Sequence, residues 1–336
     1  MKILLNGVGR IGKAILRLSL EDDQIEIVAI NEINPNRQSI AYSINYDSTY
    51  GTLHDKFVVQ RGVLKNSTTA IEISNHTLLS EIDMSGIDIV IDASGSSVDI
   101  DMLRGLDVEY IFLTHPSKDV DISIVLGVNE DDLDREHHKI ISTSSCNATA
   151  LLPILKLIDD NYHVKCGDIV TIHPLLNHQR VLDSGCIGNA DRGVECNLEF
   201  GRSATQNIIP SQTTTIEACS HIMPSMNATT ISSSSLRVPT PTVGAIATTL
   251  FVKQFVTKDD VLDLCQEYEE SQEYDILLNN SEPLVSSDFQ SQRHTTIVDH
   301  RYSEVIQNSM IKLLIWYDNE WGYASKVLDI VKFTFK

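Results

Sequence analysis

The chain has 336 residues, 42% of them apolar and 21% charged, with a formal net charge of −20. These fractions exclude an intrinsically disordered chain, and the length fits two domains of roughly 100–200 residues each. A sequence pI of about 4.8 repels nucleic acid and anionic membranes, so neither is an expected partner.

The acidic balance also means that an anionic substrate must find its cations among only 26 Lys and Arg residues. At the amino end, Asn6 and Gly7 interrupt the apolar stretch Ile3–Leu5, which is too short for a signal-peptide core. No run approaches the ~18 apolar residues of a membrane span. The six cysteines (146, 166, 186, 196, 219 and 265) show no close-paired spacing. They are expected as free thiols in a reducing cytoplasm, with neither a disulfide framework nor a metal site.

In chain order, Lys2–Leu5 reads as a strand, Ile11–Leu20 as a helix and Ile25–Ile30 as a second strand. Tyr46 to Ile73 has the pattern of an inserted antiparallel set. Ile87–Ile91, Tyr110–Leu113 and Ile140–Ser142 are short β-branched or aromatic runs bounded by polar turns. Strands alternating with helices predict a doubly wound parallel sheet. After Cys146 the pattern changes. A buried-type helix over Ala148–Ile158 is followed by longer strands at Asp168–His173, Thr229–Val238, Ala245–Val256 and Ser309–Trp316. Helices are expected at Asp260–Ser271 and Ala324–Phe333. The long loop from Asn177 to Arg202, rich in glycine, is expected to be functional. The fold class is therefore α/β, a Rossmann-type doubly wound parallel sheet plus an α+β catalytic domain with a mainly antiparallel sheet. The expected domains are 1–147, with 317–336 returning to it, and 148–316.

Gly7-Val8-Gly9-Arg10-Ile11-Gly12 follows the first strand and opens a helix. Gly7 permits the tight turn, Gly9 lets a pyrophosphate approach the backbone, and Gly12 lets the helix pack on the sheet. Glu32 lies 20 residues after Gly12, at the end of the second strand. A carboxylate there accepts hydrogen bonds from ribose hydroxyls and repels a 2′-phosphate, so NAD is expected rather than NADP.

Cys146 lies between a strand end and the apolar helix, where the positive end of the helix dipole favours a thiolate. His173 ends its strand and Pro174 follows, a position from which an imidazole can serve as base. His137, His138 and His178 are the competing histidines, and none of them ends a strand.

These segments resemble the glyceraldehyde-3-phosphate dehydrogenase family over nearly the whole chain. Asn6–Gly12 resembles its cofactor fingerprint, Ser145-Cys146 its nucleophile, and Thr171-Ile172-His173 its histidine strand. Gln206–Pro210, Leu236-Arg237-Val238-Pro239-Thr240-Pro241 and Trp316–Tyr323 follow in family order. The resemblance implies a cytoplasmic homotetramer that oxidises a sugar-phosphate aldehyde through a thioester on Cys146, with His173 as base. It implies Arg10 and Ile11 over the pyrophosphate, and Ser94, Gly95 and Thr114 lining the cofactor groove. Asn319 would fix the nicotinamide amide, with Tyr323 close by. Arg237 would hold the substrate phosphate, and Ser145, Asn147 and Thr213 would complete the substrate site.

Within the family, Ile30-Asn31-Glu32, Thr114–Ser117, Pro283–Phe289, Ile297-Val298-Asp299 and the apolar Leu176 lean toward the erythrose-4-phosphate dehydrogenase branch. Several positions depart from the family pattern. Asn147 stands where threonine is usual, Ala150 where a second cysteine is usual, and Glu199 where an arginine would hold attacking phosphate. Thr214 and Glu217 replace a glycine and a lysine. These changes predict a weakened inorganic-phosphate site and release of the acyl group by water. The alternatives are the phosphorylating glycolytic enzyme, with Arg192, Arg202 or Thr213 rebuilding the site, and an NAD-binding paralogue without catalysis.

Overall fold

The computed structural model describes residues 1–96, 99–186 and 198–336. They form two compact units. The first comprises Met1–Ile124, Asp132–Ser144 and Ala324–Lys336, and the second Val125–Asp131 and Ser145–Tyr323.

The first unit is built on a nine-stranded sheet among the described residues. From one edge its strands are Ile122–Ser123, Ile140–Ser142, Tyr110–Leu113, Ile89–Asp92, Lys2–Asn6, Glu26–Asn31, Ala70–Ser74, Val63–Lys65 and Val58–Gln60. The first seven run parallel, and the last two turn antiparallel. Ile89–Asp92 and Tyr110–Leu113 are buried along their whole length, as strands covered on both faces must be. Leu4, Val90, Ile111, Leu113 and Ile140 pack with Leu103 into one apolar cluster. Each such side chain contributes about 1.5–3 kcal/mol by leaving water. Lys2–Asn6 lies between Glu26–Asn31 and Ile89–Asp92, where the chain order reverses. Ligands of such sheets bind at this crevice.

Tyr46–Ile73 is less uniform than its pattern predicts. It holds three antiparallel pairs, Tyr46–Asp47 with Gly51–Thr52, Val58–Gln60 with Val63–Lys65, and Val63–Lys65 with Ala70–Ser74. Ala70–Ser74, however, pairs parallel with Glu26–Asn31 and so belongs to the main sheet. A helix over Arg37–Asn45, capped by Asn36, precedes them.

The second unit carries an eight-stranded mixed sheet among the described residues. Val164–His173 runs parallel to Ile231–Arg237 and antiparallel to Gly244–Val252, which in turn pairs antiparallel with Met310–Tyr317. The helix Cys146–Tyr162 lays Leu151, Leu152, Leu155 and Ile158 into one buried cluster with Ile169, Ile246, Leu250, Ile311, Leu313 and Ile315 of this sheet. The helix begins two residues earlier than its apolar pattern predicts, because Ser145 caps it by accepting from Ala148 N–H at 3.2 Å. Such a cap is worth about 1 kcal/mol.

Of the six cysteines expected as free thiols, Cys146, Cys166, Cys219 and Cys265 are free. Cys186 corrects that expectation, since it is disulfide-bonded. A disulfide needs proximity in space rather than close spacing in sequence. The ends of the Asn177–Arg202 loop are zipped together by Ser184 N–H to Gly201 O at 2.9 Å and Ala204 N–H to Arg180 O at 2.8 Å. Its centre, with Gly188, Arg192, Gly193 and Cys196, lies outside the described residues.

Candidate active site and cofactor site

In the first unit, Gly7 sits at φ +88°, and a Cβ there would meet Ser94 Cα at 2.5 Å. At Gly12 a Cβ would lie 2.0 Å from Gly7 O, so only glycine allows the helix this close to the turn. Gly9 differs, because a Cβ there would meet nothing within 4 Å. It is the N-cap of the helix Arg10–Ser19 and makes no side-chain cap bond. The helix amino end is therefore left open toward an anion. Ile11 lies in the first turn. Arg10 pairs with Asp47 and stacks over Tyr50 at 5.4 Å.

Glu32 accepts from Val8 N–H at 2.9 Å through one oxygen and from Asn34 N–H at 3.1 Å through the other. Each carboxylate oxygen keeps a lone pair for a ribose hydroxyl. Asp92, which the motifs do not single out, is bonded to Ser94 and Thr114, two of the residues expected to line the groove. Its carbonyl accepts from Thr114 N–H and Oγ1, both at 3.0 Å, and its Oδ1 accepts from Ser94 N–H at 3.2 Å and Asn6 Nδ2 at 2.7 Å. Gly95 follows at φ +63°. An acid ending an otherwise apolar strand is the one signal of it in the sequence. The open helix end, the bare Gly9 and the held Glu32 together fit NAD.

In the second unit, parallel register sets His173 directly beside Arg237 at the carboxyl ends of neighbouring strands. His173 Nε2 lies 3.8 Å from Cys146 Sγ, and Nδ1 lies 2.9 Å from Pro174 O. The carbonyl can only accept, so it fixes the proton on Nδ1 and turns the Nε2 lone pair to the thiol. Of the four histidines weighed in the sequence, His173 is the one joined to Cys146.

Burial pushes the Cys146 thiol up to about 11, with Arg237 and the backbone N–H groups of Asn147 and Cys146 pulling the other way. Burial, aided by Arg237, pushes His173 down to about 3. Desolvation thus outweighs the helix terminus that the sequence brings to notice. A lone charge is disfavoured on either group. Proton transfer from sulfur to nitrogen creates two opposite charges side by side, which offsets part of that cost.

Arg237 Nε and Nη1 are buried without a hydrogen-bond partner. Burial lowers its pKa, while Tyr317 and Cys146 act in the opposite direction. A guanidinium with two buried, unpartnered N–H groups is a site for an anion.

Asn147 accepts from Tyr317 OH at 2.7 Å and donates to Thr215 Oγ1 at 3.2 Å. Thr213 Oγ1 lies 2.7 Å from Thr215 Oγ1. Neither Tyr317 nor Thr215 stands out in the sequence, although Tyr317 lies inside the Trp316–Tyr323 motif. Ser145 uses its hydroxyl oxygen as the helix cap. Asn319 Oδ1 accepts from Val243 N–H and Thr242 Oγ1, both at 3.2 Å, which turns the amide nitrogen the other way. Tyr323 is buried in the terminal helix. Glu199 and Glu217 are exposed, and Arg202 pairs with Asp183 at 3.2 Å. No metal-binding cluster and no helix able to cross a membrane occur among the described residues.

Residues 1–100 match the family described as glyceraldehyde 3-phosphate dehydrogenase, NAD binding domain, and residues 145–319 match its C-terminal domain. Glyceraldehyde-3-phosphate dehydrogenase 2 of Bacillus subtilis (strain 168) is 32% identical over 341 residues, covering 99% of this chain and 96% of the relative. Glyceraldehyde-3-phosphate dehydrogenase of Priestia megaterium (strain DSM 319 / IMG 1521) is 32% identical over 338 residues, covering 99% and 98%. Glyceraldehyde-3-phosphate dehydrogenase 1 of Bacillus subtilis (strain 168) is 30% identical, covering 100% and 98%. With an NAD-binding unit of the expected fold and a second unit that pairs Cys146 with His173, the chain belongs to the glyceraldehyde-3-phosphate dehydrogenase family.

Proposed function

We propose that this protein oxidises erythrose 4-phosphate to 4-phosphoerythronate with NAD, through a thioester on Cys146 that water releases. The observation that carries the thioester chemistry is the Cys146–His173 pair at 3.8 Å, with Nε2 free to take the proton. Sulfur attacks the aldehyde carbon while His173 Nε2 receives the thiol proton. Bound NAD supplies the hydride acceptor that turns the thiohemiacetal into a thioester. Arg237 anchors the substrate phosphate, while Ser145, Asn147 and Thr213 surround the reacting end. Glu32, Gly7, Gly9, Arg10, Ile11, Gly12, Ser94, Gly95, Thr114, Asn319 and Tyr323 serve the cofactor. Cofactor binding falls to residues 1–147 with 317–336, and substrate chemistry to 148–316.

The four-carbon substrate is supported by Leu176, which replaces a phosphate-binding threonine, and release by water by the exposed acids Glu199 and Glu217. The names of the relatives favour a second reading, the phosphorylating oxidation of glyceraldehyde 3-phosphate. A cytoplasmic homotetramer fits both readings. Val181, Leu182, Leu198 and Ile208 are 67%, 70%, 81% and 65% exposed, an apolar surface that a further copy would cover.

NADH formation with each sugar phosphate, with and without inorganic phosphate, tests the assignment. Phosphate-independent turnover of erythrose 4-phosphate supports it. Phosphate-dependent turnover of glyceraldehyde 3-phosphate establishes the second reading. NAD binding without turnover of either sugar identifies a non-catalytic paralogue.

A further inference from the structure

Two polar clusters beside Cys146 differ in whether their hydrogen-bonding groups are already used. Arg237 keeps Nε and Nη1 buried and unpartnered, so its cluster is open to an anion. The other cluster is closed on itself. Asn147 Nδ2 donates to Thr215 Oγ1 at 3.2 Å, and that hydroxyl lies 2.7 Å from Thr213 Oγ1. Thr215 N–H also donates to Thr213 Oγ1 at 3.1 Å, and Tyr317 OH donates to Asn147 Oδ1 at 2.7 Å. Tyr317 and Thr215 are only 1% and 3% exposed, which leaves the partly buried Asn147 and Thr213 as the members of this set that water can reach.

We propose that the Asn147 amide selects water over inorganic phosphate as acceptor of the acyl group on Cys146, an inference that rests on the thioester reading above. A phosphate dianion needs several convergent donors. The Thr213 and Thr215 hydroxyls stand at the amino end of the helix Thr215–Ile222, where an anion would recruit them, and the amide engages Thr215, whose hydroxyl in turn bonds that of Thr213. Asn147 Oδ1 lies 3.7 Å from Cys146 Sγ and presents a carbonyl lone pair to the reacting centre. Tyr317 uses one lone pair; the other accepts from the Cys146 thiol, is freed once the sulfur carries the acyl group, and then suits a water hydrogen but repels an anion. Glu217, in the first turn of the same helix, adds negative charge.

In the release step the water oxygen bonds to the thioester carbon, and the C–S bond breaks with its electron pair on sulfur. His173 has by then passed the earlier thiol proton to solvent, so the water proton passes to the vacated Nε2, and the product is a carboxylic acid. No oxidation or reduction accompanies this step. Asn147 acts here as a positioning residue.

The test is the product of the full-length enzyme with erythrose 4-phosphate, NAD and increasing inorganic phosphate, in the unmodified protein and in Asn147→Thr. Carboxylate alone is expected from the unmodified enzyme, at a rate that phosphate does not change. Asn147→Thr is expected to gain a saturable phosphate stimulation and about a tenfold larger acyl-phosphate share, the equivalent of about 1.4 kcal/mol. Acyl phosphate from the unmodified enzyme refutes release by water itself. Carboxylate alone from both proteins refutes the role of Asn147 and leaves release by water standing. Asn147→Ser removes the same amide and is read in the same way if the threonine variant does not fold. If neither variant turns over, protection of Cys146 from iodoacetamide by inorganic phosphate is compared, and protection no greater than in the unmodified enzyme overturns the proposal.

Discussion

Replacing Gly9 and Gly12 separately by alanine distinguishes a glycine kept for ligand approach from one kept for packing. At Gly12 the new Cβ would lie 2.0 Å from Gly7 O, whereas real Cβ atoms essentially never come within 3.0 Å of a neighbour. The helix must therefore retreat by about 1 Å from the turn, an overpacking cost of roughly 1–3 kcal/mol. That corresponds to a melting-temperature loss of roughly 2–4 °C per kcal/mol. At Gly9 a Cβ meets nothing within 4 Å, and φ is −73°, so the fold tolerates alanine. The cost there is a poorer helix cap, about 0.5–1 kcal/mol. The added methyl nevertheless fills the space that the pyrophosphate must enter. Gly9→Ala should weaken NAD binding about 10- to 100-fold, roughly 1.4–2.7 kcal/mol, with little thermal change. Gly12→Ala should lose both affinity and stability. Isothermal titration with NAD beside a thermal melt makes the comparison. Normal NAD affinity in Gly9→Ala would refute the approach of the cofactor to this backbone.

With the Cys146 thiol at about 11 and His173 at about 3, the ligand-free protein holds thiol and neutral imidazole at neutral pH. Its iodoacetamide alkylation rate should climb about tenfold per pH unit through the range just above neutrality, and a plateau there would reveal a standing thiolate–imidazolium pair. The depressed His173 value, against an ordinary 6.5, contributes stability that is present above 6.5 and lost as pH falls toward about 3. His173→Gln should therefore shift the midpoint of acid unfolding to lower pH, and an unchanged midpoint would argue against a strongly depressed imidazole. Arg237→Lys keeps the charge but loses the planar fork, and should raise KM for the sugar phosphate about 10- to 100-fold. An unchanged KM would remove Arg237 from the phosphate site.

The parts of the fold carried by local pattern are legible in the residues. Strand, Gly7-x-Gly9-x-x-Gly12, helix and Glu32 follow one another within a single stretch, so their chemistry is visible without tertiary knowledge. His173 is legible because a strand end followed by proline marks an exit from a sheet. The groups that complete the site come from contacts across the sequence. Asn147 meets Thr215 and Tyr317 from 68 and 170 positions away, and no spacing announces such pairs. Asp92 looks like the end of an apolar strand, and its role emerges only when Asn6, Ser94 and Thr114 converge on it. The thiol's protonation escapes the sequence for the same reason. The helix terminus is read from local pattern, whereas the burial that outweighs it comes from packing.

An acyl group held on Cys146 can be caught by mass spectrometry of enzyme acid-quenched during turnover of erythrose 4-phosphate with NAD. A transient acyl adduct is expected on the peptide carrying Cys146, absent from Cys146→Ser and from reactions without NAD. NADH formation with no adduct on that peptide, or undiminished in Cys146→Ser, would contradict it.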